Sequence, residues 1–391
     1  MPQTQKAAEP NASGNTFGGW SGKYNAWLSE AALPLWWEKG ADRRLGGFFE
    51  KLKPDGEPDF VPRRASVQAR QSIAYAMAGT LGWAGPWREA CQAGLAFLDR
   101  HFKRRDGLYA RLISYSGETV DEAPSLYDHA FALFAAAEIV KAVPARRDLL
   151  PFALELARRI EKDAAHGGGF RENCARPYQS KTHIPLMEAA LSWCAIDDDP
   201  VWRRLADRIG NHCLGHLFDA DAMLLREYFD ENWSMMEGTG GVIEPGHHFE
   251  WSVLIGRWAR LAGNEEAWNA ALRLFEVGSQ GVDEKRGVAM DAFGADFNKC
   301  CETARLWPQA ERLVAALFFA GAAEGDFKQF YLDHAASAAK ALWRYLEVPR
   351  RGLWRDRMLA DGGFAAESSP ASSLYHLVRA ATALAGIVEE K

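Results

Sequence analysis

Six short segments, each a small-residue turn leading into a few extended residues, punctuate this chain about every 60 residues. They are GGFFEKL from Gly46, DGLYARL from Asp106, GGFRE from Gly168, DAMLLREYFD from Asp221, RGVAMDAF from Arg286 and RGLWRDRM from Arg351. Between consecutive segments there is room for two helices. RASVQARQSIAYAMAGTL (64–81), SLYDHAFALFAAAEIVKAV (125–143) and WPQAERLVAALFFAGAA (307–323) place apolar residues at i, i+3, i+4 and i+7, the helical period. A helix pair cannot bury its apolar face alone, and six pairs at a fixed period can close on themselves. The expected fold is therefore all-α: an (α/α)6 barrel, a toroid of six helix pairs with short β-hairpins in its loops. Length by itself would suggest two or three domains. No Pro/Ser-rich linker divides the repeat, so one domain over residues 20–391 is expected, with the pocket on the inner helices and the loops of one end shaping its mouth.

The remaining bulk features narrow the partners. The opening MPQTQKAAEPNASGNTFGG has no apolar core of a signal peptide, and residues 1–19 read as a disordered tail. The longest apolar run, LVAALFFAGAA at 313–323, is too short to span a bilayer, so no membrane partner is expected. Basic and acidic residues, 46 against 52, are interspersed without a basic block, which argues against nucleic acid. Six cysteines without CxxC spacing, most of them expected inside apolar helical stretches, read as reduced thiols of a cytoplasmic protein. A monomer or homodimer is expected. Fifteen tryptophans are about three times the average usage; such rings line sugar pockets or fill helical cores.

The chemistry concentrates in GVIEPGHHFEW (241–251). Pro245 and Gly246 end one segment, so His247 lies in the first turn of a helix, where the positive helix end disfavours an imidazolium. A histidine held neutral there would serve as a base near pH 7. Glu250 and Trp251 follow at i+3 and i+4 and share its face, whereas His248 is turned about 100° away. Near the C-terminus, SSPASSLYHLVRAA starts a helix at Pro370 and puts His376 in its second turn. His247 and His376 open the inner helices of two units, so a closed toroid would bring both to one cavity. Arg70 on an apolar helix needs an anionic or carbonyl partner. Trp307, Tyr127 and Asp128 repeat the theme of polar groups on apolar helices.

WPQAE, PGHHFEW, PASSLYH, RRASVQARQ and LYDHAF together resemble the signature segments of the N-acylglucosamine 2-epimerase superfamily, in order from about Gly46 to His376. RRASVQARQ and PASSLYH lean towards its mannose-isomerase and phosphomannose-isomerase-like branch. The resemblance implies an (α/α)6 barrel acting on a monosaccharide through an enediol(ate), without metal or other cofactor. It places the acid/base histidines on His247 and His376, a sugar-binding arginine on Arg70, a carboxylate on Glu250, a stacking tryptophan on Trp307 and a pocket tyrosine on Tyr127. The leading expectation is mannose–fructose isomerisation; the alternative is 2-epimerisation, which begins by removing the same proton.

One stretch departs from the family. Where Asn-x-x-x-His is usual ahead of a Glu-Ala pair, KTHIPLMEA has Lys181 and Pro185, while His183 keeps a neighbouring family histidine. Lys181 and His183 are therefore carried as substrate-binding positions, Lys181 for an anionic substituent such as phosphate or sulfonate. Four rivals remain open. His212-x-x-x-His216 has metal-ligand spacing without an evident third ligand. His247, Glu250 and His376 have the makings of a two-His-one-carboxylate site. Asp128 and Glu250 would serve as the carboxylate pair of a glycoside hydrolase. The altered KTHIP segment also fits a sugar-binding protein without turnover.

Overall fold

The computed structural model describes residues 13–236, 241–296 and 298–389. Twelve helices alternate between an outer and an inner ring. The outer ring is α1 (Ser13–Trp27), α3 (Trp87–Phe97), α5 (Leu150–Lys162), α7 (Pro200–His212), α9 (Glu265–Gln280) and α11 (Gly325–Leu346). The inner ring is α2 (Ala65–Thr80), α4 (Leu126–Ala142), α6 (His183–Cys194), α8 (Pro245–Ala262), α10 (Leu306–Ala320) and α12 (Leu374–Glu389). Each inner helix packs on the next, and α12 packs back on α2, which closes the (α/α)6 barrel. Lys51 and Leu52 pair antiparallel with Pro370 and Ser369, so the first repeat is also stitched to the last.

Amphipathicity separates the two rings. The outer helices α5 and α7 bury one stripe each (Ala153, Leu156, Ala157, Ile160; Val201, Trp202, Leu205, Ala206, Ile209), as one-sided packing requires. The inner helices are buried nearly all round. Most tryptophans are core: Trp36 stacks on Trp354 with centroids 4.7 Å apart, and Trp193 stacks on Trp202 at 4.9 Å. The window 371–388 is long and apolar enough to cross a membrane by length and composition, which the sequence reading overlooked. It is the inner helix α12, packed between α2 and α10.

Each repeat turns in the same way. At Gly46, Gly107, Gly168, Met223, Gly287 and Gly352 the backbone φ is +95°, +82°, +83°, +54°, +71° and +97°. Two residues later a backbone N–H enters the core and needs an acceptor. Phe48 N donates to Gln68 Oε1, Tyr109 N to His129 Nε2, Phe170 N to His183 Nε2, Leu225 N to His248 Nε2 and Ala289 N to Gln309 Oε1, over 2.8–3.1 Å. These acceptors are the fourth residues of the five inner helical runs that begin at Ala65, Leu126, Ser180, Pro245 and Leu306. In the sixth repeat Leu374 holds that place and Ser369 Oγ accepts from Trp354 N at 3.2 Å instead.

Two expectations are corrected here. Helix α1 begins at Ser13, so residues 13–19 are helical rather than tail; residues 1–12 lie outside the described residues. The cysteines are all free thiols, but Cys174, Cys300 and Cys301 lie in loops and short strands, outside the apolar helices.

Candidate active site

The first turns of all six inner helices converge on one cavity of about 630 Å³, rimmed by the short hairpins. Six positive helix ends therefore face it, a setting that favours negative charge. The fold determines which side chains reach in. Counted from Ala65, Leu126, Ser180, Pro245, Leu306 and Ala371, the sixth residues are Arg70, Phe131, Pro185, Glu250, Glu311 and His376. Five line the cavity, and Glu311 is fully buried behind them. One turn nearer the mouth stand Tyr127, Lys181, His247 and Trp307. Seven of the eight residues expected as site groups are thus brought together: Arg70, Tyr127, Lys181, His247, Glu250, Trp307 and His376.

His183 is the exception. It is fully buried, its Nδ1 lies 3.1 Å from Gln179 O and its Nε2 accepts from Phe170 N. Nδ1–H donating and Nε2 accepting is the neutral tautomer, and burial pushes its pKa down to about 3. His183 is the third repeat's turn-holding residue and does not line the cavity. His248 has the same role in the fourth repeat, which explains why two adjacent histidines behave differently: burial holds His248 neutral, with a pKa of about 4. Trp251, expected beside Glu250, is packed into the core.

Each cavity histidine has a buried carboxylate behind it. His247 Nδ1 lies 2.9 Å from Glu227 Oε2 and 3.7 Å from Glu244 Oε2. His376 Nδ1 lies 2.6 Å from Glu311 Oε1. Both rings flank Trp307, with centroids 5.4 Å and 5.8 Å from it. In both cases Nε2 remains as the nitrogen available to the cavity.

The two histidines differ in proton state, and this corrects the expectation of a neutral His247. Burial alone would lower its pKa, but Glu227, which also hydrogen-bonds the ring, and Glu244 outweigh burial and raise it to about 9. The helix-end effect, about 0.3–1 kcal/mol, is smaller than the pull of a desolvated carboxylate at hydrogen-bond distance. His376 goes the other way. Burial lowers its pKa, and Arg70 and Arg379 offset much of what Glu311 gives back. Glu250 is held protonated, its pKa raised to about 8 by burial and by Glu311. It belongs to the His376 side of the cavity, so it does not orient His247. Asp128, the other carboxylate of the hydrolase alternative, accepts from Ser66 N at 2.9 Å and is raised by burial to about 6; it does not line the cavity.

Arg70 donates to the hydroxyl of Tyr127, and its guanidinium lies 4.3 Å from the Phe131 ring centroid. Gly246 is required by Trp307: a Cβ on Gly246 would overlap the indole. Lys181 lines the mouth and is exposed, as the sequence reading of a charged replacement allows.

Glu227 and Glu311 were missed. Glu311 lies inside the WPQAE segment already singled out. Glu227 follows from the repeat: two residues after each turn N–H stand Glu50, Arg111, Glu172, Glu227, Asp291 and Asp356, five carboxylates in six repeats. Glu50, Glu172 and Asp291 accept backbone N–H groups at the starts of inner helices. Glu227 instead accepts Ser180 Oγ at 2.7 Å and meets His247.

Among the described residues, Glu227, Glu244 and His247 form one set with donor atoms within 4.8 Å of one another, and Glu250, Glu311 and His376 form another. A divalent cation accepts such ligands. In each set a guanidinium already supplies positive charge: Arg305 lies 3.5 Å from Glu244, and Arg379 lies 3.7 Å from Glu311. Of the pair with metal-ligand spacing, His212 packs against both His216 and Trp233, and its Nδ1 is 3.0 Å from Gly167 O.

Comparisons with known proteins bear on the fold and the family. The chain is 41% identical over 366 residues to a mannose-6-phosphate isomerase of Rhizobium meliloti (strain 1021), covering 92% of this chain and 95% of that one. The structure of cellobiose 2-epimerase from Spirochaeta thermophila DSM 6192 matches with a TM-score of 0.86 at 22% identity, over 97% of this chain and 99% of that one. A D-mannose isomerase structure matches with a TM-score of 0.83 at 18% identity, over 98% and 100%. The model of the N-acylglucosamine 2-epimerase (GlcNAc 2-epimerase) family covers residues 47–380. The chain belongs to the N-acylglucosamine 2-epimerase family and is a sugar isomerase or epimerase.

Proposed function

We propose that the protein is an aldose–ketose isomerase of the mannose–fructose type, working by proton transfer between its own side chains without a metal. The observation that carries this is the pair of unlike histidines on either side of Trp307, one held protonated and one held neutral. An enediol mechanism needs both at once: a base for the C2 proton and an acid at the carbonyl oxygen.

In this reading the open-chain aldose lies against Trp307. Neutral His376, with Nδ1–H donated to Glu311, takes the C2 proton on Nε2. The C1–C2 bond becomes double, and the C1 carbonyl oxygen takes a proton from His247 Nε2–H. Arg70 and protonated Glu250 donate hydrogen bonds to substrate oxygens, which lowers the cost of the developing oxyanion. His376 then returns its proton to C1, while His247 recovers a proton from O2 as the C2 carbonyl forms. Atoms balance, and both histidines finish as they began. Delivery to the opposite face of C2 would give the 2-epimer, and the product distinguishes the two.

A second reading, an anionic sugar as substrate, rests on charge. The cavity is lined by seven basic side chains against five carboxylates, one of them the neutral Glu250, in a chain with a formal net charge of −6. Such focusing draws anions. The relative of highest identity cited above is named for a sugar phosphate. Lys181, at the mouth, is the side chain this reading tests.

The experiment is a proton NMR time course in D2O with EDTA present, using mannose, fructose, glucose and mannose 6-phosphate, beside a His247→Ala/His376→Ala control. Deuterium entering the sugar with conversion of mannose to fructose, or of the phosphate to its ketose, supports isomerisation and names the substrate. If Lys181→Gln depresses turnover of the phosphate alone, the anionic reading holds. Absence of exchange with every sugar, while one still raises Tm, overturns the acid/base pair.

A further inference from the structure

Behind His376 runs a line of alternating charges, of which the proton transfers above use only the first, Glu311. Glu311 meets His376 with Oε1; its Oε2 has no hydrogen-bond partner among the described residues and lies 3.7 Å from Arg379 Nε. Arg379 also pairs with Glu188 through Oε1, another buried oxygen without a hydrogen bond, and sends Nη1 to the Tyr375 hydroxyl at 2.8 Å. Glu188 Oε2 accepts from Arg257 Nη1 at 3.0 Å. The first four members are buried, whereas the Arg257 side chain is 33% exposed. The line crosses four inner helices: α12 carries His376 and Arg379, α10 carries Glu311, α6 carries Glu188 and α8 carries Arg257. Helix α8 also carries His247.

Arg379 is thus one cation shared by two buried carboxylates, and its position is set by the balance between them. Arg257 neutralises Glu188 from the far side and leaves the field of Arg379 for Glu311. Without Arg257, Glu188 would draw Arg379 towards itself. Glu311 would then bear on His376 with its full charge and raise its affinity for a proton. The other groups facing His376 are Arg70 on α2, Glu250 on α8, Trp307 on α10 and Tyr375 on α12. Among the described residues Arg257 hydrogen-bonds Glu188 and neither Arg70 nor Glu250.

We propose that Arg257 is a positioning residue for the reaction: through Glu188, Arg379 and Glu311 it fixes the charge behind His376, and it ties the helix of one histidine to the helix of the other. The inference rests on the reading of His376 as the base. Because Arg257 is partly exposed, it can be changed without emptying the core.

The test compares the full-length protein with R257Q, R257K and R260Q, the last removing a cation from the solvent-facing side of the same helix, where it stacks on Trp268. Initial rates of sugar conversion give kcat and KM across pH, and Tm is measured alongside. In R257Q the acid limb of kcat is expected to move to higher pH. Activity on that side falls on the order of tenfold, with KM within about twofold. R257K restores most of the limb, and R260Q leaves it in place. An unchanged limb in R257Q, or a loss that R257K does not restore and that follows Tm, overturns the proposal. A wild-type protein that turns over no sugar overturns the reading of His376, and this inference with it.

Discussion

Glu227 Oε2 lies 2.9 Å from Nδ1 of His247 and on its other side takes the hydroxyl of Ser180 at 2.7 Å. A residue that caps an inner helix in other repeats has here become the counterion of an imidazolium. The consequence is a pH dependence with a stated sign. In the proposed mechanism His247 works in its protonated form, so activity is expected below its pKa of about 9 and is expected to be lost as pH rises through it. Loss of the Glu250 proton, near pH 8, cuts activity on the same side. His376 works deprotonated, so the acid limb lies below the ordinary histidine value of about 6.5. Glu227→Gln keeps the hydrogen bond but removes the charge. The basic limb of kcat/KM is expected to fall towards pH 6.5, with kcat at neutral pH down about 10–100-fold. A pH–rate profile checks both; an unmoved basic limb in the variant would remove Glu227 from the mechanism.

The period of the turns made the barrel legible, because the left-handed backbone at Gly46, Gly107, Gly168, Gly287 and Gly352 demands small residues at fixed spacing. The inner-helix residues that face the cavity were legible for the same reason: a helix start expected at Pro245, and one expected at Pro370 and found one residue later at Ala371, fix which side chains point inward. Proton states were not. A helix N-terminus argued for a neutral His247, and only the fold shows the Glu227 carboxylate arriving from twenty residues upstream. Nor does spacing distinguish a catalytic histidine from a turn-holding one. His183 reads as a site residue until the N–H of Phe170 is placed against it, and His248 and His129 hold the N–H groups of Leu225 and Tyr109 in the same way.

His183 therefore gives a prediction opposite to the one its sequence context suggested. His183→Ala leaves the Phe170 N–H buried without an acceptor, a cost of about 1–3 kcal/mol before any cavity term. Chemical denaturation is expected to show that loss, while KM and kcat of the folded protein stay within about twofold of wild type. A large rise in KM with unchanged stability would return His183 to the sugar site.

Met223 occupies the one repeat turn without glycine, at φ +54°, with its side chain exposed. A non-glycine residue in this region carries strain, and glycine relieves it at the cost of a looser unfolded chain. Met223→Gly is expected to stabilise the protein by about 0.5–1 kcal/mol in urea unfolding, with no effect on turnover. Destabilisation would mean that the Met223 side chain contributes more through packing than the turn loses to strain.

Gly246 tests whether Trp307 must lie where it does. The residue sits in the first turn of α8 immediately before His247, and any side chain there would enter the space of the indole ring. Alanine is a better helix former than glycine, so on local grounds Gly246→Ala should stabilise α8 by up to about 1 kcal/mol. The site reading demands the opposite for function. The methyl group would displace Trp307 from its position between His247 and His376, and a shift of about 1 Å at a substrate platform can cost on the order of a hundredfold in rate. The expected result is a protein with Tm close to wild type and kcat/KM reduced by one to two orders of magnitude, with Trp307 fluorescence no longer responding to sugar. A G246A enzyme with full activity would show that the indole is free to move aside, and the stacking role of Trp307 would have to be abandoned.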